Sequence, residues 1–201
     1  MNASRKTHPA ALLMAGVVAA IVAAGGVLAV MYPEYFREYR LYLTERRLPL
    51  DFSFDDLSGR VSEESLKRKF AAQQFRCYKN RAGEYIGDRS CFVDIESHNG
   101  ASAMSAAFFF ADDQLVSASI NVPWWAHRKM RQSLLRLYGV PAVHQAKPVA
   151  EVRLEGWKLT DGSAVFFNRE PSLNPVKWSG VLWKSTSWCE KAGCFLPREY
   201  Q

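Results

Sequence analysis

Hydrophobic and polar positions divide the chain into stretches with different periods. From Pro9 to Pro33 no residue is charged, and Ala, Val, Leu and Gly fill most of these 25 positions. About 20 such residues cross a hydrocarbon core of about 30 Å as a helix, whose backbone hydrogen bonds close internally as lipid demands. Residues 9–33 are therefore expected to form a transmembrane helix, with 1–8 as a cytoplasmic N-terminus. A cleaved signal peptide competes, because Val27-Leu28-Ala29 offers a small-residue cleavage site. The apolar run is longer than the roughly 7–15 residues of a signal core, which favours a retained anchor. Gly16, Ala20 and Ala24 recur every four positions with Ala15, Ala19 and Ala23 beside them. Such a stripe lets a second membrane helix approach closely, although an Ala-rich span also produces the spacing by chance.

After the span, aromatic residues at 32, 35, 36 and 39 share one face at helical spacing. Residues 34–47 are expected to be a juxtamembrane helical extension, kinked at Pro33. Tyr35, Phe36 and Tyr39 would lie at headgroup level as candidate interface residues.

From residue 48 to 201 the pattern is that of one folded domain. Ser62 is a good N-cap, Glu63 and Glu64 load the first turn with negative charge, and Leu66 and Phe70 follow on one face of a short helix. Strand-like segments come next at about 74–79, 90–96, 103–110 and 115–122, the last two joined by a turn at Ala111-Asp112-Asp113-Gln114. Phe108-Phe109-Phe110 is apolar on both faces and predicts a central strand. A second helix is expected from Pro123 to Tyr138, with Met130, Leu134, Leu137 and Tyr138 as its stripe and Gly139 and Pro141 ending it. Strands resume at about 152–159 and 163–169 across Thr160-Asp161-Gly162, and again at 176–184. This order predicts an α+β domain, an antiparallel sheet with two main helices packed on it.

The order of elements over 58–170, with the helix exit Tyr138-Gly139-Val140-Pro141, resembles the helix-plus-meander modules of bacterial envelope proteins similar to beta-lactamase inhibitor protein. No functional residue is carried over from that resemblance.

Charge narrows the partners. The net charge of +6 divides evenly: six bases and three acids in residues 1–47, twenty bases and seventeen acids thereafter. The domain lacks the dense basic surface of a nucleic-acid binder. Two Lys/Arg precede the span and four follow it closely, so charge alone does not orient the helix.

The cysteines do. Cys77, Cys91, Cys189 and Cys194 all lie beyond the anchor. Four cysteines allow three pairings, and Cys77–Cys91 with Cys189–Cys194 is preferred because each pair is close and separated by turn residues. Disulfides persist in oxidising compartments, which puts the domain outside the cytoplasm. Zinc is disfavoured, since there is no CxxC pair and His98, His127 and His144 are scattered.

No nucleophile elbow, HExxH, phosphate loop or dinucleotide fingerprint is present. Asp51-Phe52-Ser53-Phe54-Asp55-Asp56 starts like a calcium loop but has Asp56 where glycine is needed and Ser62 where glutamate is needed. All six tryptophans lie between 124 and 188. Trp124 and Trp125 are adjacent at a helix start, about 100° apart, so both cannot face one core. Trp124 and Trp125 are therefore candidate interface residues, one of them a contact for a partner, a membrane surface or a glycan, unless loops cover both.

The expectation is a non-catalytic accessory or assembly subunit of a bacterial inner-membrane complex, its N-terminus cytoplasmic and its domain periplasmic. Its partners would be other inner-membrane subunits and membrane lipid, with no cofactor, metal, nucleic acid or small-molecule substrate. The alternative is a tethered periplasmic binding module for glycan or another envelope ligand.

Overall fold

The structure, a computed structural model, describes residues 9–81, 86–144, 153–172, 174, 176–192 and 194. The chain divides into two compact units, Met1–Thr44 and Glu45–Gln201.

The first unit is helical, with α1 at Pro9–Met31 and α2 at Pro33–Thr44. Residues Leu12–Met31 are long and apolar enough to cross a membrane. The break falls at Tyr32 because Pro33 has no N–H and disfavours helical geometry in the residue before it. Hydrogen bonding continues on both sides of the break: Tyr32 N–H donates to the Leu28 carbonyl at 2.9 Å, and Phe36 N–H to that of Tyr32 at 3.3 Å. Glu34, Arg37 and Arg40 are exposed, while Tyr32, Tyr35, Phe36 and Tyr39 are half-buried.

The second unit contains, in chain order, α3 (Glu63–Lys69), β1 (Arg76–Lys79), β2 (Arg89–Asp94), β3 (Ser97–His98), β4 (Ala101–Ser102), β5 (Ser105–Ala111) and β6 (Gln114–Val122). Then come α4 (His127–Tyr138), β7 (Val143–His144), β8 (Leu154–Lys158), β9 (Ala164–Asn168), β10 (Ser179–Lys184) and α5 (Thr186–Ala192). The unit is α+β and its sheet antiparallel. Eight strands run in the order β1-β2-β5-β6-β10-β9-β8-β7, and β3 and β4 form a separate two-stranded ribbon.

That order has an internal symmetry. The first half is α3 followed by four strands of the main sheet, β1, β2, β5 and β6, with the β3–β4 ribbon between them; the second is α4 followed by β7, β8, β9 and β10. The halves meet where β6 pairs antiparallel with β10, from Ser179 opposite Val122 to Lys184 opposite Ser117. No repeat was expected from the sequence. The symmetric positions share burial and strand order rather than residue identity, as QLVSASINV in β6 against SGVLWK in β10 makes plain.

Alternation along the strands sorts the two faces. Cys91, Phe108, Ala118 and Trp183 are successive cross-strand neighbours and are all completely buried. With Val93, Ile120, Val181, Val165, Phe167 and Trp157 they form a single core. Leu66 of α3 and Met130 and Leu134 of α4 belong to the same core, so both helices cover this face. Phe109, between two fully buried phenylalanines, points to the opposite face and is half-buried. β5 is flanked by β2 and β6, the interior position that an all-apolar triplet predicts. The β5–β6 turn puts Asp112 and Asp113 at φ 50° and 59°, the left-handed pair that suits the twist of a two-residue hairpin. Gly87, at φ 80°, lies against the Phe110 carbonyl, where any Cβ would collide with backbone.

One charged pair is built into this packing. Glu155 in β8 lies on the core face, opposite Phe167, and is completely buried. Arg131 of α4 clamps it through two hydrogen bonds, Nε to Oε1 at 2.7 Å and Nη2 to Oε2 at 2.8 Å. The pair fixes the second helix over the second half of the sheet. Removing only the arginine strands a buried carboxylate, so Arg131→Met is expected to cost about 3 kcal/mol in urea denaturation. Adding Glu155→Leu to that variant is expected to restore most of the loss. A single substitution without effect would show that Glu155 finds other partners.

Candidate functional site

The cysteines fall where antiparallel pairing brings them together. Cys77 in β1 is directly opposite Cys91 in β2, with 4.0 Å between Cα atoms, and the two form a disulfide. Cys189 in α5 bonds to Cys194, whose N–H donates to the Cys189 carbonyl at 3.2 Å. Glu63 lies close to Cys77 and Cys91, a grouping with the makings of a metal site. The sulfurs are bonded to each other, however, and the carboxylate is held by Arg89 and Lys67, which lower its pKa against the opposing effect of burial. The acids of the calcium-like segment are likewise engaged with the chain. Asp51 accepts the Asn99 N–H, and Ser53 and Asp56 form a capping box around the short turn Phe54–Asp56.

The histidines whose side chains are described serve the fold. His98 is buried; its Nδ1–H donates to the Leu50 carbonyl at 2.8 Å, and its Nε2 accepts from Asn99 Nδ2 at 3.2 Å. A carbonyl cannot donate, so the neutral tautomer is set. His127 stacks on Phe167 and donates through Nε2 to the Asn168 carbonyl at 2.8 Å. The side chain of His144 lies outside the described residues.

The second face of the sheet has a different character from the core. Tyr78, Phe92 and Phe109 form a cross-strand ladder, their ring centroids 6.3 and 6.2 Å apart, with Tyr78 54% exposed. Small side chains follow at Ala107, Ser117 and Ser119, then Leu182 and Phe166 on the other half. Lys184 ends this row. Burial lowers its pKa to about 8, and its ammonium lies 4.6 Å from the Trp188 ring of α5.

Trp124 and Trp125 sit in the short turn Trp124–Ala126 that opens α4, and they meet edge to face at 6.0 Å and 84°. They are 47% and 43% exposed, whereas Trp157 and Trp183 are core residues, with indole N–H groups donating to the Gly139 carbonyl and to Ser163 Oγ. Gly16, Ala20 and Ala24 are exposed along α1, and a Cβ on Gly16 would meet nothing within 4 Å. Tyr35, Phe36 and Tyr39 line α2. The small-residue stripe and the α2 aromatics belong to the first unit and the tryptophan pair to the second.

Sequence reasoning passed over Glu155 and Lys184. Glu155 had a signal, because period-2 alternation puts it on the same face as Trp157. Lys184 had none, since its desolvation comes from α5, a helix the sequence did not announce.

Comparison with known proteins gives no family. No protein-family model, curated protein or solved structure matches the chain. The likeness in element order therefore carries no assignment.

Two outcomes follow from these local geometries. Cys77→Ala with Cys91→Ala is expected to lower stability by about 3 kcal/mol, the entropy of a closed loop of about 15 residues, as read by the urea midpoint. Burial lowers the pKa of both His98 and His127, so the unfolded chain takes up protons first. Stability is then complete above about pH 6.5 and declines as pH falls through that value. Urea midpoints should drop between about pH 6.5 and pH 5 and drop less in His98→Gln; a flat profile would contradict the assignment.

Proposed function

We propose that the chain is a non-catalytic, membrane-tethered docking subunit: α1 is a retained anchor, and the α+β unit works in an oxidising compartment, the bacterial periplasm. One observation carries this reading. Among the described residues, helices α3 and α4 occupy one face of an eight-stranded sheet, while the other carries the half-buried rings of Phe92, Phe109 and Phe166 beside exposed Tyr78, an aromatic surface suited to another protein. The disulfides fit the compartment. The apolar helix fits the tether, and its exposed small-residue stripe fits close packing against a partner's membrane helix. His98, His127, Asp51 and Asp56 are spent on backbone groups and Asp55 on the Ser53 hydroxyl, which favours docking over catalysis. The glycan alternative draws less support, because the 84° angle between Trp124 and Trp125 provides no coplanar platform for consecutive sugar rings.

Purification from native membranes in mild detergent is expected to bring down another membrane protein in stoichiometric amount. Gly16→Leu with Ala20→Leu should release that partner while leaving the chain in the membrane. A chain that emerges alone from native membranes would overturn the subunit reading and favour a free-standing binding module.

A further inference from the structure

The exposed apolar residues of the globular unit are not scattered. Among the described residues they are Leu48, Tyr78, Trp124, Trp125, Leu137 and Val140, and the last four belong to α4 or its flanks. The tryptophans open the helix and Leu137 and Val140 close it, roughly 20 Å apart at 1.5 Å per residue. Leu137 is 53% and Val140 84% exposed.

Cations follow the tryptophans along the exposed side, whereas Leu137, nine residues after Arg128, falls on the opposite side near Met130. Residues 124–140 contain no acid and include Arg128, Lys129, Arg131 and Arg136. Arg131 is neutralised by Glu155, and the Lys129 ammonium donates to the Gly100 carbonyl. Arg128, Gln132 and Arg136 follow one another at four-residue spacing on the exposed side, opposite Met130 and Leu134. Among the described residues, neither Arg128 nor Arg136 has a carboxylate within ion-pair distance.

We infer that this side of α4 is a docking face for the anionic surface of the bilayer that anchors the chain. The inference rests on the membrane tether proposed above. Indole rings prefer the headgroup level, where the ring is desolvated and its N–H stays wet. Arginines on a helix lying in that plane are drawn to anionic phospholipid. Only residues 45–53 separate the anchor unit from Phe54, whose N–H donates to Tyr138 Oη at the end of α4. The domain thereby rests on the bilayer through α4 instead of swinging from its linker.

The test uses the full chain in lipid nanodiscs whose acyl chains carry bromine near the headgroup. Every tryptophan lies in the globular unit and none in the anchor, so quenching of tryptophan fluorescence reports contact of that unit with lipid. Quenching is expected in discs containing phosphatidylglycerol, with much less in phosphatidylcholine alone or at high salt. Trp124→Ala with Trp125→Ala should remove most of it. Arg128→Gln and Arg136→Gln keep both reporters, and each should reduce the ratio of docked to undocked domain about fivefold.

A chain that separates from the disc on gel filtration overturns the tether and this inference together. A chain that stays in the disc with quenching equal in both lipids, or unchanged in the variants, overturns this inference alone. If quenching is absent and the tryptophan variants instead lose a co-purifying protein, the face is a protein interface and lipid docking is wrong.

Discussion

The pairing of β6 with β10 is the constraint on which the rest of the globular unit depends. Each half of the sheet is an open four-stranded layer with one helix, and each alone would leave an unpaired interior edge. Joining the halves through these two strands removes both edges and turns two thin cores into one. Completely buried Trp183 of β10, beside Ala118 of β6, lies at the seam, a large ring against a small partner. The Arg131–Glu155 clamp and the Cys77–Cys91 bridge then secure opposite ends of the resulting sheet. One ties a helix to β8, and the other ties β1 to its neighbour.

Helices α3 and α4 follow equivalent positions in the two halves, so both fall on the core face; among the described residues the second face carries Tyr78, Phe92, Phe109, Phe166 and Leu182, with Trp188 of α5 over Lys184. A protein serving only as a spacer would have little use for such a face. On the proposed membrane tether it would meet other membrane proteins at high local concentration, where a weak contact gains. The proposed lipid contact of α4 would add a second constraint on which surfaces the domain presents.

Much of this fold was legible in the sequence, for identifiable reasons. The apolar run, the hairpin turns at Asp112-Asp113 and Asp161-Gly162, the Ser62 cap and the Gly139 exit are local signals, and each corresponds to an element boundary to within a few residues. Phe108-Phe109-Phe110 announced an interior strand because both of its faces are apolar. The Cys77–Cys91 pairing followed from the same hairpin logic. What local signals could not reveal was the crossing that puts β10 beside β6, since strand order is set by long-range packing. The internal symmetry descends from that crossing, and the covering of Lys184 by Trp188 depends on where α5 packs. The candidate site was legible only as separate parts. The exposure of both Trp124 and Trp125 was half foreseen from their angular separation, while their grouping with Arg128 and Arg136 required knowing which side of α4 meets the sheet.

The claim that holds the account together is that the apolar helix stays attached and keeps the domain at a membrane. The most direct measurement is the intact mass of the chain recovered from native cells whose membranes have been washed with alkaline carbonate. The expected mass still includes residues 9–33 and is found in the washed pellet, with all four cysteines oxidised. A chain shortened near Ala29 and released into the soluble fraction would contradict it.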